Sequence, residues 1–449
     1  MAALINEVFG LNSKPEVGFA RLDMTPPLGV PMAGYFFERR VEGIRDPLYV
    51  SAIAVRDGEK TCIVMSCDHL GFRNPAIAVW LPKIAAAAGV EEEAVFLSCT
   101  HTHTGPVNLG DPQFESDPQY DAWVERRLCD AAAMAVADCK PVEQMLTYEG
   151  ECPGVTFTRR LKMKDGRYQT WATECDPEIE GWAGKADESL RFVRIIRTNA
   201  EEILLVNFQG HADNVSGNLI SADYPGFLRA KVEANCPGTK LMFVLGAQGN
   251  LILRDYWKKS VPTEKYTAAR LPGEKLADFV MAHLDEAVPA AGGGVRYAQR
   301  WVNCRTKRDT SRVPEARRIV DIHEHGDEEK EIGPDWVATP MVAEAYRILE
   351  LEEANLDTVD LRVSAVSFGG FAMVGITGEP FCELGQYIRE KSPYPFTFAC
   401  SVVNGSGDYF PNAIAYDQGG YEPANTRFIK GTGEIVAEAC LDLLNKIHG

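Results

Sequence analysis

The stretches Thr61-Cys62-Ile63-Val64-Met65-Ser66-Cys67-Asp68-His69 and Ala94-Val95-Phe96-Leu97-Ser98-Cys99-Thr100-His101-Thr102-His103-Thr104-Gly105-Pro106 share one form. Each is an apolar run of strand length that breaks into polar residues. Continuous apolar, β-branched runs of this kind read as strands buried on both faces. The pattern recurs at 203–208, 241–245, 371–376 and 396–403. Between these runs, 120–139, 224–236, 339–355 and 432–447 carry alanine, leucine and charged residues at helical spacing. Strands and helices alternate, which predicts an α/β fold: a mixed β-sheet core flanked by helices.

Every run ends in chemistry. Gly210-His211-Ala212-Asp213 follows the third, Gly246-Ala247-Gln248-Gly249-Asn250 the fourth, Thr377-Gly378-Glu379 the fifth, and Asn404-Gly405-Ser406-Gly407-Asp408-Tyr409 the sixth. Ligands of α/β sheets bind beyond the carboxyl ends of the strands, so these residues are expected to converge. If strand geometry runs on through Thr100, His101 and His103 project their imidazoles to one side. Two neutral imidazoles suit a transition metal, and a pair hydrogen-bonded in a polar loop is the plainer alternative. His211, one of only eight histidines, sits at an equivalent strand end and favours the metal. His323 and His325 form a second pair among Asp321, Glu324 and Asp327, and read as part of a solvated charged loop. His69, His283 and His448 receive no role. Glu379 follows an apolar run and a glycine, an unusual place for a charge that binds nothing. Tyr409 and Tyr421 flank a stretch with glycines near both ends.

The 449 residues are enough to bury a large core without staples. With 64 acidic against 46 basic residues the formal charge is −18, which argues against nucleic acid or an anionic membrane as partner. No apolar stretch reaches the roughly 18 residues of a membrane span, and Met1 to Pro15 lacks the charge and apolar order of a secretion leader. The twelve cysteines are scattered without a C-x-x-C pair and read as buried thiols of a reducing compartment, hence a cytoplasmic protein. The charged segment 305–335 reads as an exposed excursion within one catalytic domain spanning 1–449.

Together these motifs resemble the N-terminal catalytic domain of the neutral/alkaline (non-lysosomal) ceramidases, which are zinc-dependent amidases. The likeness rests on Val17-Gly18-Phe19-Ala20, Asp23-Met24-Thr25-Pro26-Pro27, Gly34-Tyr35, Asp46-Pro47-Leu48, the Ser98 to Pro106 segment, Leu219 to Gly226, Gly378-Glu379-Pro380 and Tyr421-Glu422. It implies a zinc ion held by His101, His211, Glu379 and Tyr409, with His103 as general acid/base and Tyr421 facing the substrate carbonyl. Arg159 corresponds to the family's active-site arginine, with Arg160 as the alternative match. It departs from the family where Ile252 stands in the place of an essential serine, in Gly249-Asn250-Leu251-Ile252. The family's C-terminal immunoglobulin-like domain is not expected.

The expectation is therefore a zinc-dependent hydrolase that cleaves an amide or ester of a small soluble substrate with a metal-activated water. A non-catalytic metal- or ligand-binding protein on the same scaffold and a zinc-dependent lyase or isomerase acting on a sugar-like substrate are the competing readings. A long apolar channel at the site would favour a fatty amide. A short polar pocket with arginines would favour a carboxylate or a sugar.

Overall fold

The computed structural model describes residues 15–111, 114–259 and 266–449. The start of the chain before Pro15, which bears on the expected lack of a leader, lies outside the described residues. Two sheets stack face to face between layers of helix. In the larger sheet the strands follow the order Thr239–Leu245, Glu202–Phe208, Ser189–Arg197, Lys140–Glu151, Glu16–Asp23, Tyr49–Asp57, Lys60–Cys67 and Val95–Cys99, and Val288–Pro289 also pairs with Lys140–Glu151. Its interior pairings are antiparallel and the outermost pairing at each end is parallel. The smaller sheet runs Arg296–Arg305, Thr358–Phe368, Phe371–Ile376, Thr397–Cys400. The mixed α/β architecture read from the sequence is thus present.

Apolar residues explain the layering. Val17, Ile53, Phe96, Ile203, Phe371 and Phe398 belong to one buried cluster, so the two sheets share a core. The helices Asn74–Ala88 and Pro118–Ala137 bury Trp80, Leu81, Leu128 and Ala132 against Ala52, Ile63 and Leu97 of the large sheet. Asp223–Asn235 and Thr267–Ala282 cover Leu204 and Phe243 with Leu228 and Leu276. Thr432–His448 closes the outer face of the small sheet through Val436, Cys440 and Leu444. Burying one such side chain stabilises by about 1.5 to 3 kcal/mol relative to exposure. Among the described residues no helix is long and apolar enough to cross a membrane.

The 305–335 segment is more ordered than its charge suggests. It contains the helix Val313–His325, whose Ala316 and Ile319 pack on Val342, Ala345 and Ile348 of the helix Asp335–Glu353. The apolar residues are few but lie at helical spacing, which suffices for one buried stripe. His323, expected to be solvated, is mostly buried and contacts Glu328 and the carbonyl of Phe36, which attaches this helix to the Gly34–Phe36 loop.

Candidate active site

Two isolated bridges, Ser98 to Val403 and Gly246 to Cys400, stitch the small sheet to the ends of the large one. The carboxyl ends of 95–99, 202–208, 239–245 and 371–376 consequently meet at one place. The first strand stops at Cys99, and His101 adopts a φ of 66° in a turn. The expectation that strand geometry runs on through Thr100 is therefore corrected: the imidazoles converge through a turn, with ring centroids 5.1 Å apart and planes at 82°. A non-glycine residue held at positive φ marks local strain that the surroundings must fix. Here the His101 amide donates to the His69 carbonyl, and the Thr102 and Thr104 hydroxyls donate to the Ser221 carbonyl.

Each histidine nitrogen has a definable task. His101 Nδ1 lies 2.6 Å from the Leu70 carbonyl, so it carries the proton and leaves Nε2 as a lone pair. His103 Nδ1 lies 3.0 Å from the Gly34 carbonyl, which fixes the same tautomer there. Gly34 has a φ of 108°, and a Cβ would stand 2.9 Å from His103 Nδ1, so only glycine fits this approach. His103 Nε2 meets His211 Nε2 at 3.1 Å. His211 follows the strand 202–208, and the His103 amide donates to the carbonyl of neighbouring Ala212. Asp223 accepts from the amides of Asn214 and Val215 and buttresses the same loop.

Glu379 sits opposite Tyr409 in a two-residue parallel pairing. Its Oε2 is 3.3 Å from His101 Nε2 and 3.9 Å from His211 Nδ1, and neither of these buried nitrogens has a hydrogen-bond partner. Gln248, with its own Oε1 held by the Ser401 hydroxyl, donates to Glu379 Oε2. Burial alone would raise the Glu379 pKa, but positive charge beside it, from His101 when that ring is protonated and from the Arg159 guanidinium, holds it below the usual carboxylate value. Burial pushes His103 down to about 4, against the opposing pull of Asp213, and drives His211 well below its ordinary value with help from Arg159. Both are neutral at physiological pH, the form that binds metals.

Among the described residues His101, His103 and His211 form a group whose ligand atoms lie within 4.8 Å of one another, so they can hold a metal ion. The orphaned lone pairs beside a carboxylate fit the same purpose, because buried polar atoms without partners are otherwise unfavourable.

Arg159 and Arg160 both grip the fully buried Glu422, at 2.8 Å each. Arg159 lies over the rings of Tyr409 and Tyr421 and borders the cavity, whereas Arg160 turns away to Gln418 and the Gly419 carbonyl. Tyr421 accepts a 2.8 Å hydrogen bond from Asn425 Nδ2, which leaves its own proton available. Burial raises the pKa of both tyrosines and Arg159 opposes the rise. His101, His103, Arg159, His211, Glu379, Tyr409 and Tyr421 thus all border one pair of adjoining cavities. Gln248, Glu422 and Asn425 support them; Gln248 lies in the strand-end cluster and Glu422 in the Tyr421-Glu422 motif, whereas Asn425 carries no signal in the sequence. Tyr35, Trp171 and Trp336 are aromatics whose bordering of the cavity only tertiary structure reveals. His69, by contrast, is a core residue packed on Phe72 and pushed down to about 3 by burial.

No family model matches the sequence, and no curated protein is similar to it by sequence. Solved structures are. A neutral ceramidase from Pseudomonas aeruginosa superimposes with a TM-score of 0.74 over 96% of this chain and 74% of its own, at 16% identity. A ceramidase complexed with C2 gives a TM-score of 0.74, 97% and 75% coverage and 16% identity. The fold is neutral-ceramidase-like. Within that ceramidase-like fold, Ile252 belongs to a strand pair with Phe157 and packs beside Leu161 and Tyr256. It borders neither of the two cavities at the site. The adjoining Gly249 and Asn250 carbonyls instead accept from the Arg159 side chain and amide.

Proposed function

We propose that the protein is a zinc-dependent amidohydrolase of the ceramidase kind whose substrate is a small soluble amide or ester. The observation that carries this reading is the approach of two orphaned imidazole nitrogens, His101 Nε2 and His211 Nδ1, to the same oxygen of Glu379. His101, His211, Glu379 and Tyr409 would hold the metal, a nitrogen and oxygen donor set that suits zinc. Zinc at such a site supplies Lewis acidity to a carbonyl oxygen and makes water acidic near neutral pH.

The side chains account for the rest. His103, held by Gly34 with Nε2 unprotonated, accepts a proton from the attacking water and returns it to the leaving nitrogen as the carbon–nitrogen bond breaks. One water is consumed, and a carboxylate and an amine result. Tyr421 donates its free proton to the carbonyl oxygen, and Arg159 adds positive charge beside it. Loss of one such donor costs about 2.7 to 4 kcal/mol of barrier. No nucleophilic side chain is needed, in keeping with Ile252 at the serine position.

The 3.1 Å contact of His103 Nε2 with His211 Nε2 favours a second reading, in which His101, His103 and His211 share the ion. A binding protein on this scaffold and a lyase or isomerase remain distinct by outcome. The test is incubation of N-acyl amino acids, N-acyl sugars and short N-acylsphingosines with and without zinc, with products identified by mass. Zinc-dependent addition of one water supports the hydrolase. A product of unchanged mass points to the isomerase, and turnover confined to the sphingosines overturns the small-substrate assignment. All twelve cysteines are free thiols, which supports a reducing, cytoplasmic setting.

A further inference from the structure

The candidate site opens on two cavities of unequal size and character. The larger, about 480 Å³, is walled by Tyr35, Phe36, Trp171 and Trp336 and touches His211 and Arg159. The smaller, about 90 Å³, touches His101 and Glu379 and is bordered by Arg73, Arg347, Ser406 and Asn425. His103, Tyr409 and Tyr421 border both. A bond cleaved at the junction therefore has one substituent in each cavity. At about 90 Å³ against about 480 Å³, the small cavity is the tighter of the two.

Its chemistry is specific. Arg347 gives Nε to Asn425 Oδ1 at 3.1 Å and Nη1 to Glu350 at 2.6 Å, which fixes the guanidinium plane at the cavity edge. Arg73 borders the same cavity and lies 3.4 Å from Asp111. The helix Asn74–Ala88 starts beside it and adds its positive end. Of the other two acids bordering this cavity, Asp408 is committed to Arg427, and Glu379 lies 3.3 Å from His101 Nε2 at the candidate metal site. Oriented guanidiniums in a small pocket match a carboxylate in shape and charge.

The geometry points to an N-acylated substrate whose acyl arm is short and ends in a carboxylate, bound between Arg73 and Arg347, with the amine portion in the aromatic cavity. This rests on the hydrolase reading for turnover but not for binding. The probes are malonyl, isovaleryl and palmitoyl amides of one chromogenic amine. The first two have the same branched shape and differ in charge. Binding to the metal-free protein is followed by tryptophan fluorescence and by thermal shift, and hydrolysis is followed with zinc. The expected result is at least tenfold tighter binding of the malonyl amide than of the isovaleryl amide, a ratio that falls toward one in Arg73→Gln and in Arg347→Lys. Equal or better binding of the isovaleryl amide, or preference for the palmitoyl amide, overturns the inference. Selective binding of the malonyl amide without hydrolysis of any amide upholds the pocket and instead removes the hydrolase reading.

Discussion

Glu379 faces Tyr409 across a parallel pairing only two residues long, so backbone hydrogen bonding sets a carboxylate and a phenol side by side across the loop that separates them. Glycines make the pairing possible. Gly378 has a φ of 142°, and a Cβ on it would meet the Asp408 carbonyl at 2.5 Å. From the other side Gly249 approaches so closely that a Cβ would lie 2.4 Å from the Glu379 carbonyl oxygen.

Gly249→Ala must therefore displace the backbone that carries Glu379. Overpacking of this kind costs about 1 to 3 kcal/mol. We expect that loss in denaturant unfolding together with at least tenfold weaker zinc binding in a chelator competition. Unchanged zinc affinity would separate the glycine contact from the site.

Glu422 pairs with two buried arginines at once, one through each carboxylate oxygen. Burial opposes its charge, but the Arg159 and Arg160 guanidiniums hold its pKa below the ordinary value. Glu422→Gln leaves uncompensated buried charge, which destabilises by about 3 to 5 kcal/mol. Denaturant midpoints measured at pH 7 check this. A change under about 1 kcal/mol would mean that the arginines find other partners.

Asp223 offers a pH-dependent test of the loop behind His211. Burial raises its pKa to about 6, partly offset by hydrogen bonds from Asn214 and Tyr224, whereas an unfolded aspartate titrates at about 3.9. A carboxyl whose folded pKa is raised contributes stability that is fully present below the unfolded value and lost as pH rises through about 6. The parent should therefore exceed Asp223→Asn in stability by about 2 to 3 kcal/mol more at pH 4 than at pH 7, at about 1.36 kcal/mol per unit. Equal differences at both pH values, measured on metal-free protein, would contradict it.

Strands buried on both faces, such as 60–67, 95–99 and 371–376, are legible in the sequence because an unbroken apolar run of strand length must be covered on each side to leave water. Half-exposed strands such as Lys140–Glu151, with Glu143, Gln144 and Glu149 among its side chains, carry no such run and leave no comparable mark. The metal-site candidates are legible because each closes a buried strand or repeats a motif. Their supporting contacts are not: Gly34 and Gln248 stand in motifs the sequence offers, but that Gly34 holds His103, Gln248 holds Glu379 and Asn425 holds Tyr421 follows from packing that no local pattern encodes.

The central claim is that His101, His211, Glu379 and Tyr409 share one ion while His103 moves protons. It is tested most directly by the metal content of purified protein and of His101→Ala, Glu379→Gln and His103→Ala. The account predicts one zinc per chain in the parent, loss of zinc in the first two variants, and zinc retained in His103→Ala with turnover reduced by about 10² to 10⁴. Zinc retained in Glu379→Gln but lost in His103→Ala, or no bound metal in the parent, would contradict it.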